Sequence, residues 1–196
     1  MKNLILIDPK PALCDAWRAA FARFPEVHVI NGRFEEVQEF DCMVSAANSF
    51  GLMDGGIDLA ISNFFGPELQ TRVQTHILER YNGEQPVGTS FITETNHPKH
   101  PFVAHTPTMR VPMSINGTDN VYLAMKAMLQ AVKGFNTSKA QIKSVLCPGL
   151  GTATGSVPEE VAAQQMALAY AYFKTPPQTI NWAYAAQVSR NIISVL

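Results

Sequence analysis

The chain has 196 residues, a formal net charge of −1 and 46% hydrophobic residues. This length predicts a single domain over residues 1–196, and the apolar content is too high for a disordered chain. Because the net charge is close to zero, no global field attracts the protein to nucleic acid or to an anionic membrane, so neither is expected as a partner.

Short apolar runs alternate with stretches of helical periodicity along the chain. The predicted strands cover residues 4–7, 27–30, 41–47, 88–93, 101–106 and 143–147. The predicted helices cover residues 11–24, 56–65, 68–81, 120–132 and 158–173, with Gly134 as the cap of the fourth. This alternation predicts a three-layer α/β sandwich around a largely buried sheet.

Two segments fall outside this alternation. A long loop is predicted over residues 106–120, and such loops are often functional. Its Arg110 is either a cation for a phosphate or a partner, or a residue that pins the loop by hydrogen bonding. The C-terminal segment begins at Pro176, and its Trp182 and Tyr184 are expected to pack against the body of the protein.

Cysteine and histidine usage bears on compartment and metal binding. The three cysteines form neither a disulfide framework nor a metal spacing, and the apolar residues 4–7 are too few for a secretion signal or a membrane span. A cytoplasmic location is therefore expected. His97, His100 and His105 cluster without a cysteine or carboxylate at ligand spacing, so no metal and no cofactor are expected. His105 could line a pocket, although a structural role is the simpler interpretation.

Two glycine-rich loops each follow a predicted strand and lead into a predicted helix. The first covers residues 48–56 and the second residues 147–158. Ligands of such folds bind at the carboxyl ends of strands, glycine lets backbone N–H groups approach an anion, and a helix N-terminus adds roughly half a positive charge. The pair of loops therefore predicts a diphosphate site without Lys or Arg. Neither loop matches the Walker or the dinucleotide-binding pattern.

Two polar residues flank the first loop. Asp58 lies just inside the predicted helix start, where its carboxylate either interacts with the helix dipole or faces a bound ligand. Asn48 stands where the strand stops. Its amide could bond a sugar hydroxyl or close an Asx-turn.

These residues carry a resemblance to a known family. The stretch A-A-N-S-F-G-L-M-D-G-G-I-D-L-A-I resembles the macrodomain signature, N-A-A-N followed by a short loop and G-G-G-V-D-x-A-I. The spacing between Asn48 and Asp58 equals that of the hydrolytic macrodomains that remove ADP-ribose. The second loop, P-G-L-G-T-A-T-G, is similar to the other phosphate loop of the family, in a bacterial and phage-type variant. The resemblance is strongest over residues 25–173.

The resemblance implies a fold, a ligand and a reaction. The fold would be an α/β/α sandwich with a mixed central sheet, and the ligand ADP-ribose or an ADP-ribosylated macromolecule. Asp58 would help to activate a water and Asn48 would position the distal ribose. The substrate would be an ADP-ribosylated protein, ADP-ribose 1''-phosphate or O-acetyl-ADP-ribose. The alternatives are a module that binds ADP-ribose or a nucleotide without turnover, and a nucleotide- or RNA-binding domain of a phage or bacterial operon. The implied ligand-binding residues are Gly55, Gly56, Ile57, Gly149, Leu150, Gly151, Thr152, Ala153, Thr154, Gly155 and Phe34.

The chain departs from the family pattern at several positions. In the second loop, Thr152, Ala153 and Thr154 stand where the family often has an aromatic that covers the ribose. Ser45 replaces the first Asn of N-A-A-N, and Asp54 replaces one glycine of the triplet. Arg33 stands where the family has an aspartate that accepts a hydrogen bond from the adenine amino group. Because arginine has no acceptor, this recognition is expected to be lost or moved to Glu35 or Glu36.

Overall fold

A computed structural model describes residues 1–138 and 141–196, and a six-stranded sheet runs through its centre. The strands are β1 (Asn3–Asp8), β2 (Val27–Asn31), β3 (Cys42–Asn48), β4 (Phe91–Glu94), β5 (Phe102–Met109) and β6 (Ser144–Cys147). Their order across the sheet is β2-β1-β6-β3-β5-β4. All pairs are parallel except β4 with β5, so the predicted mixed sheet is confirmed.

Helices cover both faces of the sheet, as the three-layer prediction requires. They are α1 (Pro11–Ala20), α2 (Gly56–Phe65), α3 (Glu68–Tyr81), α4 (Asn120–Ser138), α5 (Glu159–Lys174) and α6 (Trp182–Ile193). Helices α1, α4 and α5 build one apolar core, which contains Trp17 and Met166. Helices α2 and α3 build the other, which contains Ile61 and Val73. Within the part of the chain that the structure describes, no helix combines the length and apolar character needed to cross a membrane.

The sheet topology brings four strand ends to one edge. Because β1, β6, β3 and β5 run in the same direction, Asp8, Cys147, Asn48 and Met109 end their strands on the same side of the molecule. The loops after β3 and β6 therefore start beside each other. This is the edge at which open α/β sheets hold their ligands.

Two predicted boundaries are wrong. Helix α1 stops at Ala20 rather than residue 24, and Phe24 precedes Pro25, where the helical conformation is disfavoured. Strand β5 continues to Met109 rather than ending at residue 106, so the predicted loop is shorter. The strand accommodates Pro107 through a change of register opposite Ala47 and Asn48.

The predicted end of α4 at Gly134 is also wrong. The helix runs through this glycine to Ser138. A Cβ on Gly134 would meet no atom within 4 Å, so the residue is exposed on an open helix face. Burial of Val132 and Leu129 stabilises this part of the helix and outweighs the low helix propensity of one glycine, which costs about 1 kcal/mol.

The C-terminal segment forms a helix that the sequence analysis did not predict. The Asn181 side chain accepts the Tyr184 N–H at 2.9 Å and caps α6. Tyr184 packs edge-on against Tyr172, with ring centroids 6.4 Å apart, as expected. The expectation for Trp182 is wrong, because this side chain is 90% exposed. It lies in the first turn of α6, on the side turned to solvent.

Candidate functional site

A cleft opens at the sheet edge where the two glycine-rich loops meet. It has a volume of about 160 Å³ and is called the first cleft here. The ends of β3 and β5, the start of α2 and the loop after β6 form its walls. Its lining consists of Ala46, Ala47, Asn48, Leu52, Asp54, Gly55, Gly56, Ile57, Asp58, Thr108, Met109, Pro112, Gly149, Gly151, Ala153, Thr154 and Gly155.

The first cleft brings together most of the residues that the sequence singled out. Those that line it are Asn48, Gly55, Gly56, Ile57, Asp58, Gly149, Gly151, Ala153, Thr154 and Gly155. Thr152 and Phe34 line a neighbouring second cleft of about 340 Å³. The Leu150 side chain lines neither cleft, because it is buried in the core beside α1, α4 and α5.

The two loops have glycine for different reasons. In the loop after β6, a Cβ on Gly149 would approach Thr152 Oγ1 to 2.5 Å, and one on Gly155 would approach the Gly151 carbonyl to 2.5 Å. Those glycines are required by packing. In the loop before α2, a Cβ on Gly55 or Gly56 would meet no atom within 4 Å. The space above Gly55 and Gly56 is therefore open to a ligand.

Backbone N–H groups of both loops are free to bind an anion. Gly56, Ile57 and Asp58 form the first turn of α2, where N–H groups have no acceptor within the helix. Among residues 1–138 and 141–196, no hydrogen bond is donated by the N–H groups of residues 55–58 or of residues 149–155. The positive end of the α2 dipole adds to this potential, so the cleft suits a phosphate without a basic side chain.

Asp58 is a buried carboxyl on the wall of the first cleft. Only 5% of the residue is exposed, and its Oδ1 accepts a hydrogen bond from Ser45 Oγ at 2.7 Å. Burial raises the pKa of Asp58 from 3.8 to about 6, against the opposing effect of the Ser45 hydrogen bond. A carboxyl with such a pKa is charged near neutral pH and can accept a proton from water.

The raised pKa of Asp58 makes stability depend on pH. The folded state binds the proton more tightly than the unfolded state, so stability present below about pH 4 is lost as pH rises through about 6. Asp58→Asn removes this loss while keeping an acceptor for Ser45. We expect the variant to be more stable than the wild type by about 1–3 kcal/mol at about pH 8 and by little at about pH 4.

Urea unfolding at the two pH values measures this difference. The control is Asp54→Asn, which exchanges the same groups at an exposed position and should change stability by less than about 0.5 kcal/mol. Equal pH dependence in the wild type and in Asp58→Asn would show that the Asp58 carboxyl is not destabilised by burial.

The Asn48 amide bonds to its own loop. Its Oδ1 accepts the N–H groups of Phe50 and Leu52 at 3.0 and 3.3 Å, and its Nδ2 donates to the Leu52 carbonyl at 2.7 Å. This is an Asx-turn, which was one of the two roles predicted for Asn48. Among the described residues, the second N–H of the amide has no acceptor, and the residue lines the first cleft, so this N–H can donate to a ligand.

The second cleft continues from the first. Gly56, Ile57, Gly149 and Ala153 line both. The remaining lining of the second cleft is Ile7, Asp8, Pro9, Lys10, Gly32, Arg33, Phe34, Glu35, Ala60, Pro148 and Thr152. A ligand that filled both clefts would pass between the two sets of free N–H groups.

The charged residues of the second cleft differ in the ion pairs and hydrogen bonds that they form. Arg33 pairs with Glu35 at 3.4 Å, and Glu36, which does not line the cleft, accepts the Arg33 N–H. Asp8 accepts the Lys10 N–H through Oδ1 at 2.9 Å. Among the residues with described positions, nothing donates to Asp8 Oδ2, so this oxygen is an available acceptor.

Sequence reasoning missed Asp8 as a site residue and gave Ser45 no role. Asp8 ends the first strand, and only the parallel pairing of β1 with β6 places it beside the second glycine loop. Ser45 lies 13 positions before Asp58, and its side chain lies on the same face of the sheet as α2. The position of Asp8 at a strand end was a usable signal, whereas the contact of Ser45 required the fold.

Two other candidates lie outside both clefts. Arg110 forms a two-point ion pair with Glu84, Nε to Oε1 at 2.6 Å and Nη2 to Oε2 at 2.7 Å, so it pins its loop. His105 is fully buried with Nδ1 at 2.7 Å from Gln85 Oε1, and burial lowers its pKa to about 3. It therefore does not line the site.

The remaining histidines of the predicted cluster are packed among aromatic rings. The His100 ring stacks on Phe40 at 3.8 Å and on His97 at 4.8 Å. No group of three possible metal ligands occurs within residues 1–138 and 141–196. The contacts of His97 and His100 are those of structural side chains.

The chain is similar to known proteins in sequence and in fold. A protein of Aquifex aeolicus is 34% identical over 141 residues, which cover 72% of this chain and 78% of its own. The O-acetyl-ADP-ribose deacetylase of Escherichia fergusonii is 31% identical over 139 residues, which cover 70% of this chain and 74% of its own. The Oceanobacillus iheyensis macrodomain with ADP has a TM-score of 0.57 at 21% identity, over 84% of this chain and 88% of that chain.

At that identity the solved structure supports the fold alone, so family membership rests on sequence. The Macro domain pattern matches residues 44–166, which include the first loop, Asp58, the second loop and the start of α5. The match covers more than half of the chain, which therefore belongs to the Macro domain family.

Proposed function

We propose that the joined clefts bind ADP-ribose and that the protein hydrolyses a bond at its distal ribose. The observation that carries this proposal is the meeting of two sets of unbonded N–H groups beside a buried carboxyl. The diphosphate would lie where both clefts meet, between Gly56-Ile57 and Gly149. The adenosine would occupy the second cleft and the distal ribose the first, next to Asp58.

The proposed reaction uses Asp58 as a general base. Its carboxylate would take a proton from a water, and the water oxygen would attack the acyl carbon of an ester on the distal ribose. The bond between the acyl carbon and the ribose oxygen then breaks, and the proton passes to that oxygen. A pKa of about 6 for Asp58 suits this exchange near neutral pH.

An acetyl ester is the first substrate to test. This choice is supported by the 31% identity to a relative named O-acetyl-ADP-ribose deacetylase. ADP-ribosylated protein and ADP-ribose 1''-phosphate present other groups at the same ribose and are the next substrates. The bacterial and phage-type character suggested by the second loop does not distinguish among them.

Calorimetry and a turnover assay test the two parts of the proposal. ADP-ribose should bind with a Kd of about 1 μM, roughly −8 kcal/mol, and AMP much more weakly because it lacks the second phosphate and the distal ribose. The protein should release acetate from O-acetyl-ADP-ribose. Absence of ADP-ribose binding at millimolar concentration, or equal affinity for AMP, would contradict the ligand assignment.

A binding module without turnover is the second candidate. It is favoured by the Asn48 amide, whose oxygen accepts two N–H groups of its own loop. Exposed Asp54 on the cleft wall also places a negative charge near the proposed diphosphate. ADP-ribose binding together with no turnover of any of the three substrates would establish this function instead.

Asp8 is the proposed acceptor for the adenine amino group. A hydrogen bond to a charged group is worth about 1.5–3 kcal/mol, so ADP-ribose should bind about 10–100-fold more tightly than its inosine counterpart. Asp8→Ala should remove this preference, because inosine has no amino donor at that position. The comparison variant is Glu35→Ala, which removes the other carboxylate of the second cleft. Loss of the preference in Glu35→Ala alone would assign adenine recognition to Glu35.

A further inference from the structure

Ser45 is buried at the point where the sheet faces the start of α2. None of its surface is exposed, and it lies in the middle of β3, opposite His105 on β5. Its hydroxyl donates to Asp58 Oδ1 at 2.7 Å. A hydroxyl at this depth needs a partner, and the carboxyl provides it.

The Asp58 carboxyl has no second protein partner within the described residues. Nothing there donates to its Oδ2, although the residue lines the first cleft. The face of α3 turned to the core consists of Leu69, Val73 and Ile77, which carry no charge. One oxygen is therefore held by Ser45 and the other faces the cleft.

The ionisable groups on the elements around Asp58 do not take over the role of the Ser45 hydroxyl in keeping the Asp58 carboxyl charged. On β5, burial lowers the pKa of His105 to about 3, so its ring is neutral at physiological pH. Behind it on α3, His76 stacks on Phe91, and burial lowers its pKa as well. Asp54, in the loop before α2, is exposed. Burial and the Ser45 hydrogen bond are the two causes that set the pKa of Asp58.

We infer that Ser45 is a positioning residue, whose hydroxyl orients the Asp58 carboxylate and keeps it charged so that Oδ2 can take a proton from water. This inference rests on the proposed function for the water, but the contact itself belongs to the free protein. Because the hydroxyl bonds the charged form, its removal should favour the protonated acid. Ser45 then acts on the reaction only through Asp58.

Carbon-13 NMR of the aspartate carboxyls tests the contact without any substrate. In Ser45→Ala the Asp58 resonance should titrate about one to two pKa units higher than in the wild type, which corresponds to a hydrogen bond to a charged group. Ser45→Thr keeps the hydroxyl and should titrate like the wild type. Ser49→Ala removes another buried serine hydroxyl, one that does not contact Asp58, and is the matched control.

The pH dependence of turnover distinguishes a positioning role from a structural one. In Ser45→Ala the acidic limb of kcat should move upward by the same amount as the NMR titration, with KM little changed, and activity should largely return at alkaline pH. Ser45→Thr should restore the wild-type profile. An unshifted Asp58 titration in folded Ser45→Ala, or in Ser45→Cys if the alanine variant does not fold, would overturn the inference. A shifted Asp58 titration in Ser45→Ala, together with no turnover by the wild type, would support the contact of Ser45 with Asp58 and contradict the proposed reaction.

Discussion

Replacing Gly55 by valine should greatly weaken ADP-ribose binding while the protein stays folded. The backbone φ of Gly55 is −150°, an extended conformation that any residue adopts, and a Cβ there would meet no atom within 4 Å. The side chain would instead fill the cleft in front of the free N–H groups. We expect at least a 100-fold loss of affinity, about 3 kcal/mol, against a stability cost of about 1 kcal/mol for a poor N-cap residue. Calorimetry and thermal unfolding measure the two effects.

Other glycines provide the controls for Gly55→Val. Gly55→Ala should show an intermediate loss of affinity. Gly134→Ala, on the exposed face of α4, should leave binding unchanged and raise stability by about 0.5–1 kcal/mol. Gly149→Ala should instead destabilise the fold, because its Cβ would lie 2.7 Å from Leu13 Cδ2. Wild-type affinity in Gly55→Val would show that the ligand does not approach the first turn of α2.

Removing the Asp58 carboxyl should lower turnover far more than binding. If the carboxylate takes the proton from water, Asp58→Ala should reduce kcat by about 10²–10⁴, the usual contribution of a general base. ADP-ribose affinity should change only a few-fold, because the proposed phosphate donors are backbone groups. In the wild type, kcat should fall about tenfold per pH unit below about 6, as Asp58 becomes protonated at the pKa set by its burial.

Asp54→Ala is the matched control for Asp58→Ala. It removes a carboxylate from the same cleft, but from an exposed position before α2. We expect tighter ADP-ribose binding, because a negative charge near the diphosphate is lost, without the loss of kcat. If Asp58→Ala turns over substrate as fast as the wild type, Asp58 is not the base. His105 would not replace it, since that ring is buried away from both clefts.

The layers and most of the first cleft could be predicted because their signals are local. The apolar runs predicted every strand, and glycines after β3 and β6 indicated where the chain turns into a helix. Parallel strands bring such turns to one edge, so Asn48, Asp58 and Gly149 could be placed together before the fold was known. The spacing within the first loop also carried the family resemblance.

The rest depended on contacts between distant parts of the chain. Gly134 resembles a helix end, but burial of the neighbouring apolar residues continues α4 through it. Pro107 resembles a strand end, but β5 continues past it through a change of register against β3. Asp8 and Ser45 join the site only through the pairing of β1 with β6 and the packing of α2 on β3. Neither relation leaves a periodic pattern in the sequence.

The most direct test of the account is a nitrogen-15 NMR titration of the backbone amides with ADP-ribose. We expect the largest shifts on the N–H groups of residues 55–58 and 149–155, which donate no hydrogen bond to any described residue of the free protein. AMP should perturb the amides of the second cleft, around residues 32–35, and shift those of residues 55–58 and 149–155 less than ADP-ribose does. Saturable binding that leaves both loops unshifted, or shifts confined to amides that line neither cleft, would contradict a diphosphate site between the glycine-rich loops.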